Sequence, residues 1–151
     1  MKRLLLTSMV IAGFLATQLP ARAELSWSTD ATAALAQAKK EKKLVVMNFT
    51  GSDWCGWCIK LKKEVFDTSE FGTYTKDNLV LVEVDFPSAK KQQSAELKKA
   101  NESLKKKYDA NEGFPTIVVL NSDGKEIWRK VGYMPGGPKA WIAKLDEVKK
   151  K

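Results

Sequence analysis

Cys55 and Cys58 stand at a seam in this sequence. Before them lies the apolar run Leu44-Val45-Val46-Met47-Asn48-Phe49, which reads as a strand buried on both faces. The cluster Thr50-Gly51-Ser52-Asp53 then makes a turn. Directly after it, Ile59, Leu61, Val65 and Phe66 alternate with Lys60, Lys62, Lys63 and Glu64 in a helical pattern. The cysteines therefore open a helix that follows a buried strand, and this placement says more than the four-residue spacing alone.

The chain has two cysteines. A bridge between residues three apart closes so small a loop that it removes little chain entropy, so it reads as chemistry rather than as a brace. The first turn of a helix offers unpaired N–H groups and the positive end of the macrodipole. A thiolate at Cys55, at or just before the first helical residue, is stabilised there and becomes the nucleophile. Cys58, one turn further in, lies beneath it and less exposed. It resolves the mixed disulfide by attacking the Cys55 sulfur.

Other uses of this spacing do not fit. A structural zinc site wants four ligands, and the chain has no histidine, so no metal is expected. A c-type haem attachment needs histidine where Ile59 stands. The same lack of histidine excludes a Cys–His protease. An inert surface disulfide is the remaining alternative, and the strand-turn-helix setting, which activates a thiol, argues against it.

Along the rest of the chain, Ser28 or Thr29 is placed to cap a helix from Ala31 to about Lys42, with Ala34, Leu35 and Ala38 on one face. Residues 79–85 read as a second buried strand. Residues 87–107 are polar, and their second half is an amphipathic helix with a thin stripe of Leu97, Ala100 and Leu104. Residues 116–120 form a third strand, Asn121-Ser122-Asp123-Gly124 a hairpin turn, and residues 126–131 a fourth strand. Pro135-Gly136-Gly137-Pro138 is a break. A last helix over residues 139–149 turns Trp141, Ile142 and Leu145 inward. This order implies one α/β domain with parallel strands first and an antiparallel hairpin at one edge.

The first residues read as a leader. Lys2 and Arg3 precede the apolar run 4–15, and Ala21-Arg22-Ala23 supplies small residues at a cleavage site. The run is shorter than the roughly 20 apolar residues of a bilayer span. No cysteine lies near the cut, which argues against a lipid anchor. Residues 1–23 are thus a cleaved signal peptide and 24–151 the mature domain. Without the leader the net charge falls from +8 to +5, and of 23 remaining basic residues only Arg129 is an arginine. Nucleic-acid readout favours arginine forks, so a solvated lysine surface and no nucleic-acid partner are expected.

The segment Trp54-Cys55-Gly56-Trp57-Cys58-Ile59-Lys60 resembles the active site of the thioredoxin superfamily. Phe114-Pro115-Thr116 resembles the family's cis-proline segment, and Lys130-Val131-Gly132 resembles the glycine that closes its substrate groove. The segments 49–55, Val84-Asp85-Phe86-Pro87 and 132–137 are similar to the exported, DsbH-type branch, which is associated with disulfide reduction in the periplasm. The resemblance implies a three-layer sandwich, with a central mixed sheet of parallel strands plus an antiparallel hairpin and helices on both faces. It implies Cys55 and Cys58 as the redox pair, and Trp54, Gly56, Trp57, Phe114, Pro115 and Gly132 as the client-binding residues. Trp54 and Trp57 would form an apolar lip, and a cis Phe114–Pro115 bond would bring the Phe114 backbone beside Cys55 for strand-like pairing with a client.

Three departures stand out. The dipeptide between the cysteines is Gly56-Trp57, without proline or histidine. The positions of the buried acid and lysine of cytosolic relatives hold Asn48 or Phe49, and Leu81, so the proton acceptor for Cys58 is unassigned; Asp53 and Glu64 are near in sequence. Residues 87–104 exceed what the minimal fold needs.

The expected function is a periplasmic, monomeric protein-disulfide reductase without a cofactor. Its partners would be disulfide-containing exported proteins, and a membrane thiol relay would donate electrons, since the chain has no Gly-rich nucleotide fingerprint. Two alternatives stand beside it: an oxidant of folding clients, and, from a different class, a peptide-binding groove whose cysteines are secondary.

Overall fold

The computed structural model describes residues 25–150. The expected leader, residues 1–23, lies outside them. The elements in chain order are β1 (Trp27–Ser28), α1 (Ala31–Glu41), β2 (Leu44–Thr50), α2 (Gly56–Leu61), which runs on into a π-helical turn (Lys62–Phe66), α3 (Ser69–Asn78), β3 (Leu79–Asp85), α4 (Ala95–Lys107), β4 (Thr116–Leu120), β5 (Glu126–Val131) and α5 (Gly137–Lys149).

The five strands form one sheet in the order β1-β3-β2-β4-β5. β3 runs parallel to both β1 and β2, whereas β4 is antiparallel to β2 and to β5. β2 and β4 are buried along their whole length, which is why their sequences are apolar runs rather than alternations. One face packs Val46, Leu81, Ile117 and Val119 against Leu61 of α2, Phe66 of the π-helical turn, Phe71 of α3, and Trp141 and Leu145 of α5. The other packs Val45, Met47, Phe49, Val82 and Val118 against Ala34 and Ala38 of α1 and Leu104 of α4. The molecule is thus the mixed, three-layer α/β sandwich that the sequence implies.

Several local expectations change. Asp30, not Ser28 or Thr29, caps α1: its Oδ1 accepts the N–H groups of Thr32 and Ala33 at 2.9 and 3.0 Å. Ser28 is held in β1, beside Val82. α1 ends at Glu41, because Lys42 takes the left-handed conformation with φ 56°. Ile59 faces solvent (47% exposed): Cys58, Leu61 and Val65, three and four apart, share the buried face, and Ile59 lies about 100° round from Cys58. On α4, Ala100 is exposed, and buried Asn101 takes its place in the stripe. α5 begins two residues earlier than expected, at Gly137.

Candidate active site

β2 leaves the sheet at Thr50, and the chain turns at once: the N–H of Cys55 donates to Gly51 O at 2.9 Å. Cys55 is the N-cap of α2, and its Sγ accepts the N–H of Cys58 at 3.2 Å. The two are joined as a disulfide, with Cα atoms 5.2 Å apart. In this oxidised state they are nearly equally sealed, at 7% and 5% exposure, so the expected contrast between them is small. The geometry around Cys55 suits a negative sulfur, because an amide donor already points at it from the first helical turn.

Two aromatic groups flank Cys55 along the chain. Before it, the Trp54 ring meets Phe114 edge-on (5.9 Å between centroids), and Phe114 stacks on Phe86 at 5.3 Å. Trp54 is fixed further by its Nε1–H, which donates to Phe86 O at 2.7 Å. After it, Trp57 lies 5.5 Å from Tyr133, whose hydroxyl bonds the Glu64 carboxylate. Trp54 and Trp57 nonetheless remain 54% and 58% exposed.

The Phe114–Pro115 peptide is cis. Pro115 O accepts the N–H of Gly132 at 2.8 Å, which ties the start of β4 to the end of β5. Gly132 has φ 77°, a conformation that favours glycine. Gly56, by contrast, is in open space: a Cβ there meets nothing within 4 Å. Gly51 is the crowded glycine, because its Cβ would fall 2.4 Å from the Trp54 indole.

The two carboxylates considered for the Cys58 proton are committed elsewhere. Asp53 accepts the N–H and Oγ of Ser88 at 2.8 and 2.5 Å, and these bonds hold its carboxyl below the ordinary range. Glu64 is taken by Tyr133, whose phenol is pushed above its usual value by that carboxylate. The sequence reading missed Phe86, Tyr133 and the lysines described below. Phe86 and Tyr133 lie inside segments that resemble the exported branch, and Lys60 inside the active-site segment, but the ring contacts that give them a place arise only in the folded chain.

Comparison with known proteins settles the family. The model of the thioredoxin-like domain matches residues 31–149. The chain belongs to the thioredoxin-like family. Within it, the chain is 39% identical over 130 residues to the disulfide bond reductase DsbH of Chlamydia pneumoniae, covering 86% of this chain and 76% of that one. It is 33% identical over 103 residues to the thioredoxin-related protein DsbJ of the same organism, covering 68% of this chain but only 29% of that one. A solved DsbH oxidoreductase superposes with a TM-score of 0.78 at 35% identity, covering 93% and 95% of the two chains. A thioredoxin from Thermus thermophilus, at 20% identity and a TM-score of 0.61 over 82% and 86%, shares the fold. This thioredoxin-like protein is thus related to DsbH-type disulfide reductases, and its Cys-x-x-Cys disulfide fits thiol–disulfide exchange.

Proposed function

We propose that this protein reduces disulfides in exported client proteins, with Cys55 as nucleophile and Cys58 as resolving thiol. The observation that carries the reading is the placement of Cys55 Sγ at the N-cap of α2, under an amide donor and between two exposed tryptophans. The relationship to a reductase by name supports the direction.

In the reduced protein the Cys55 thiolate attacks one sulfur of a client disulfide. A Cys55–client bond forms, the client S–S bond breaks, and the departing client thiolate takes up a proton. Cys58 then gives up its proton and attacks Cys55 Sγ. The Cys55–Cys58 bond forms, and the second client sulfur leaves as a thiol. Two electrons have passed to the client. A thiol relay at the membrane restores the dithiol. Trp54, Gly56, Trp57, Phe114, Pro115 and Gly132 line the path of the client segment, and the Phe114 backbone pairs with it as an added strand does. The protein acts as a monomer in the periplasm after residues 1–23 are removed.

The decisive measurement is the reduction potential of the pair, by equilibration with a dithiothreitol buffer. A value near or below roughly −250 mV supports a donor of electrons; one near about −120 mV makes the protein an oxidant of folding clients. Cys58→Ser should accumulate client mixed disulfides and Cys55→Ser should capture none. Non-covalent client binding that persists in Cys55→Ser would point instead to a binding groove in which the cysteines are secondary.

A further inference from the structure

Each aromatic wall beside the disulfide carries an ammonium group. Lys60 Nζ lies 4.9 Å from the ring centroid of Tyr133 and 5.4 Å from that of Trp57. Lys105 Nζ, from α4, lies 5.3 Å from Phe86 and 5.7 Å from Phe114. The two lysines therefore belong to two separate aromatic clusters, one built on Trp57 and the other on Trp54. Neither forms an ion pair among the described residues, whereas Lys62 and Lys91 do. The acids on the same rim do not fill the role, since Glu64 is bonded to Tyr133 and Asp53 to Ser88.

A ring face attracts an ammonium and so holds a long, flexible side chain in place. The ammonium keeps three N–H donors, and those turned away from the ring remain available for a carboxylate. Beside apolar rings such a pair is less screened than on an open surface. A client segment that engages both walls would meet both charges.

We propose that the protein selects client cysteines flanked by acidic residues, with one carboxylate meeting Lys60 and another meeting Lys105. The exposed faces of Trp54 and Trp57 supply sequence-tolerant apolar contact, and the two lysines supply the discrimination. A cysteine flanked by lysine or arginine meets like charge on both walls. This selectivity rests on the reductase reading and names its substrate class.

Three synthetic peptides, each disulfide-linked to an identical copy, test it: one with Glu on both sides of the cysteine, one with Ser, one with Lys. Reduction rates with the reduced protein are divided by the rates with dithiothreitol, because flanking charge alters the disulfide's own reactivity. At low ionic strength the Glu peptide should react about tenfold faster than the Lys peptide. The Ser peptide should fall between them, and about 0.5 M salt should shrink the ratio several-fold. Lys60→Gln with Lys105→Gln should close the gap, and Lys60→Arg with Lys105→Arg should keep it, circular dichroism confirming that both variants fold. Equal normalised rates in the wild type, or a gap that survives the double Gln change, overturn the selectivity while leaving the reductase reading intact. Failure of the wild type to reduce any of the three peptides overturns both.

Discussion

Ser52 gives both its backbone N–H and its hydroxyl to the carboxylate of Asp85, at 2.9 and 2.6 Å. Asp85 closes β3, is 4% exposed, and also accepts the Lys91 ammonium at 3.0 Å. One residue further along the first loop and three along the second, the arrangement repeats in the opposite sense, with Asp53 accepting from Ser88. The loop that carries the cysteines and the loop after β3 are therefore laced together twice.

Removing part of this lacing should destabilise in order. Ser52→Ala leaves the backbone donor and Lys91 on Asp85, and should cost about 1 kcal/mol in urea unfolding. Asp85→Asn loses the charge that Lys91 pairs with and one of the acceptor oxygens, and should cost about 2–4 kcal/mol. Equal losses in the two variants would mean that the hydroxyl, not the buried charge, dominates.

Gly51→Ala tests the seat of Trp54. The new methyl would lie 2.4–2.7 Å from three indole atoms, so the ring must swing away. Its bond to Phe86 O then breaks, and its edge contact with Phe114 opens. The Trp54 indole N–H resonance should move to a solvent-like position and exchange faster, with about 1 kcal/mol lost in stability. An unshifted resonance would mean that the loop backbone, not the ring, gives way.

Glu83 offers a pH test. Burial, with the Asp85 charge beside it, raises its carboxyl above the ordinary value, while Lys91 and Lys62 pull it back. An acid whose folded pKa is raised binds its proton more tightly in the native state. Stability therefore falls as pH rises through the unfolded value and levels off above the folded one. Glu83→Gln should match the wild type near pH 4 and exceed it at pH 7, as urea midpoints at the two values would show. A constant offset at both would assign the effect to packing.

Asn101 fixes α4 to the end of β3. Its Nδ2 donates to Asp85 O at 2.8 Å from a 2% exposed position. Asn101→Ala should cost about 2 kcal/mol, whereas Ala100→Ser, one residue away and exposed, should stay within about 0.5 kcal/mol of wild type. A comparable loss at both positions would show that helix propensity decides.

The strands 79–85, 116–120 and 126–131 were legible to the residue, because apolar runs and the Asn121–Gly124 turn bracket them. α3 was not. Its buried side is little more than Phe71 with half-buried Tyr74, too narrow a stripe to declare a helix, and Gly72 sits inside it. The cysteine pair and its helix start could be read from local sequence. The rim could not, because Trp54 meets Phe86 and Trp57 meets Tyr133 across long stretches of chain that only the sheet order brings together. Proximity in sequence misled in the same way at Asp53 and Glu64, each of which is claimed by a distant partner.

Because β4 runs antiparallel to β2, the end of the sheet where β2 leaves is the end where β4 starts. The Cys-x-x-Cys turn and the Phe114–Pro115 segment are thus rooted in two adjacent strands that are buried on both faces. Phe86, Lys105 and Tyr133 hang instead from surface loops and a helix flank, while Lys60 shares α2 with Cys58. The proposed acidic-client preference is therefore carried mostly by segments outside the two strands that root the redox pair. On that proposal, exchanging the segments that carry Phe86, Lys105 and Tyr133 would change client preference and leave the redox pair where it is.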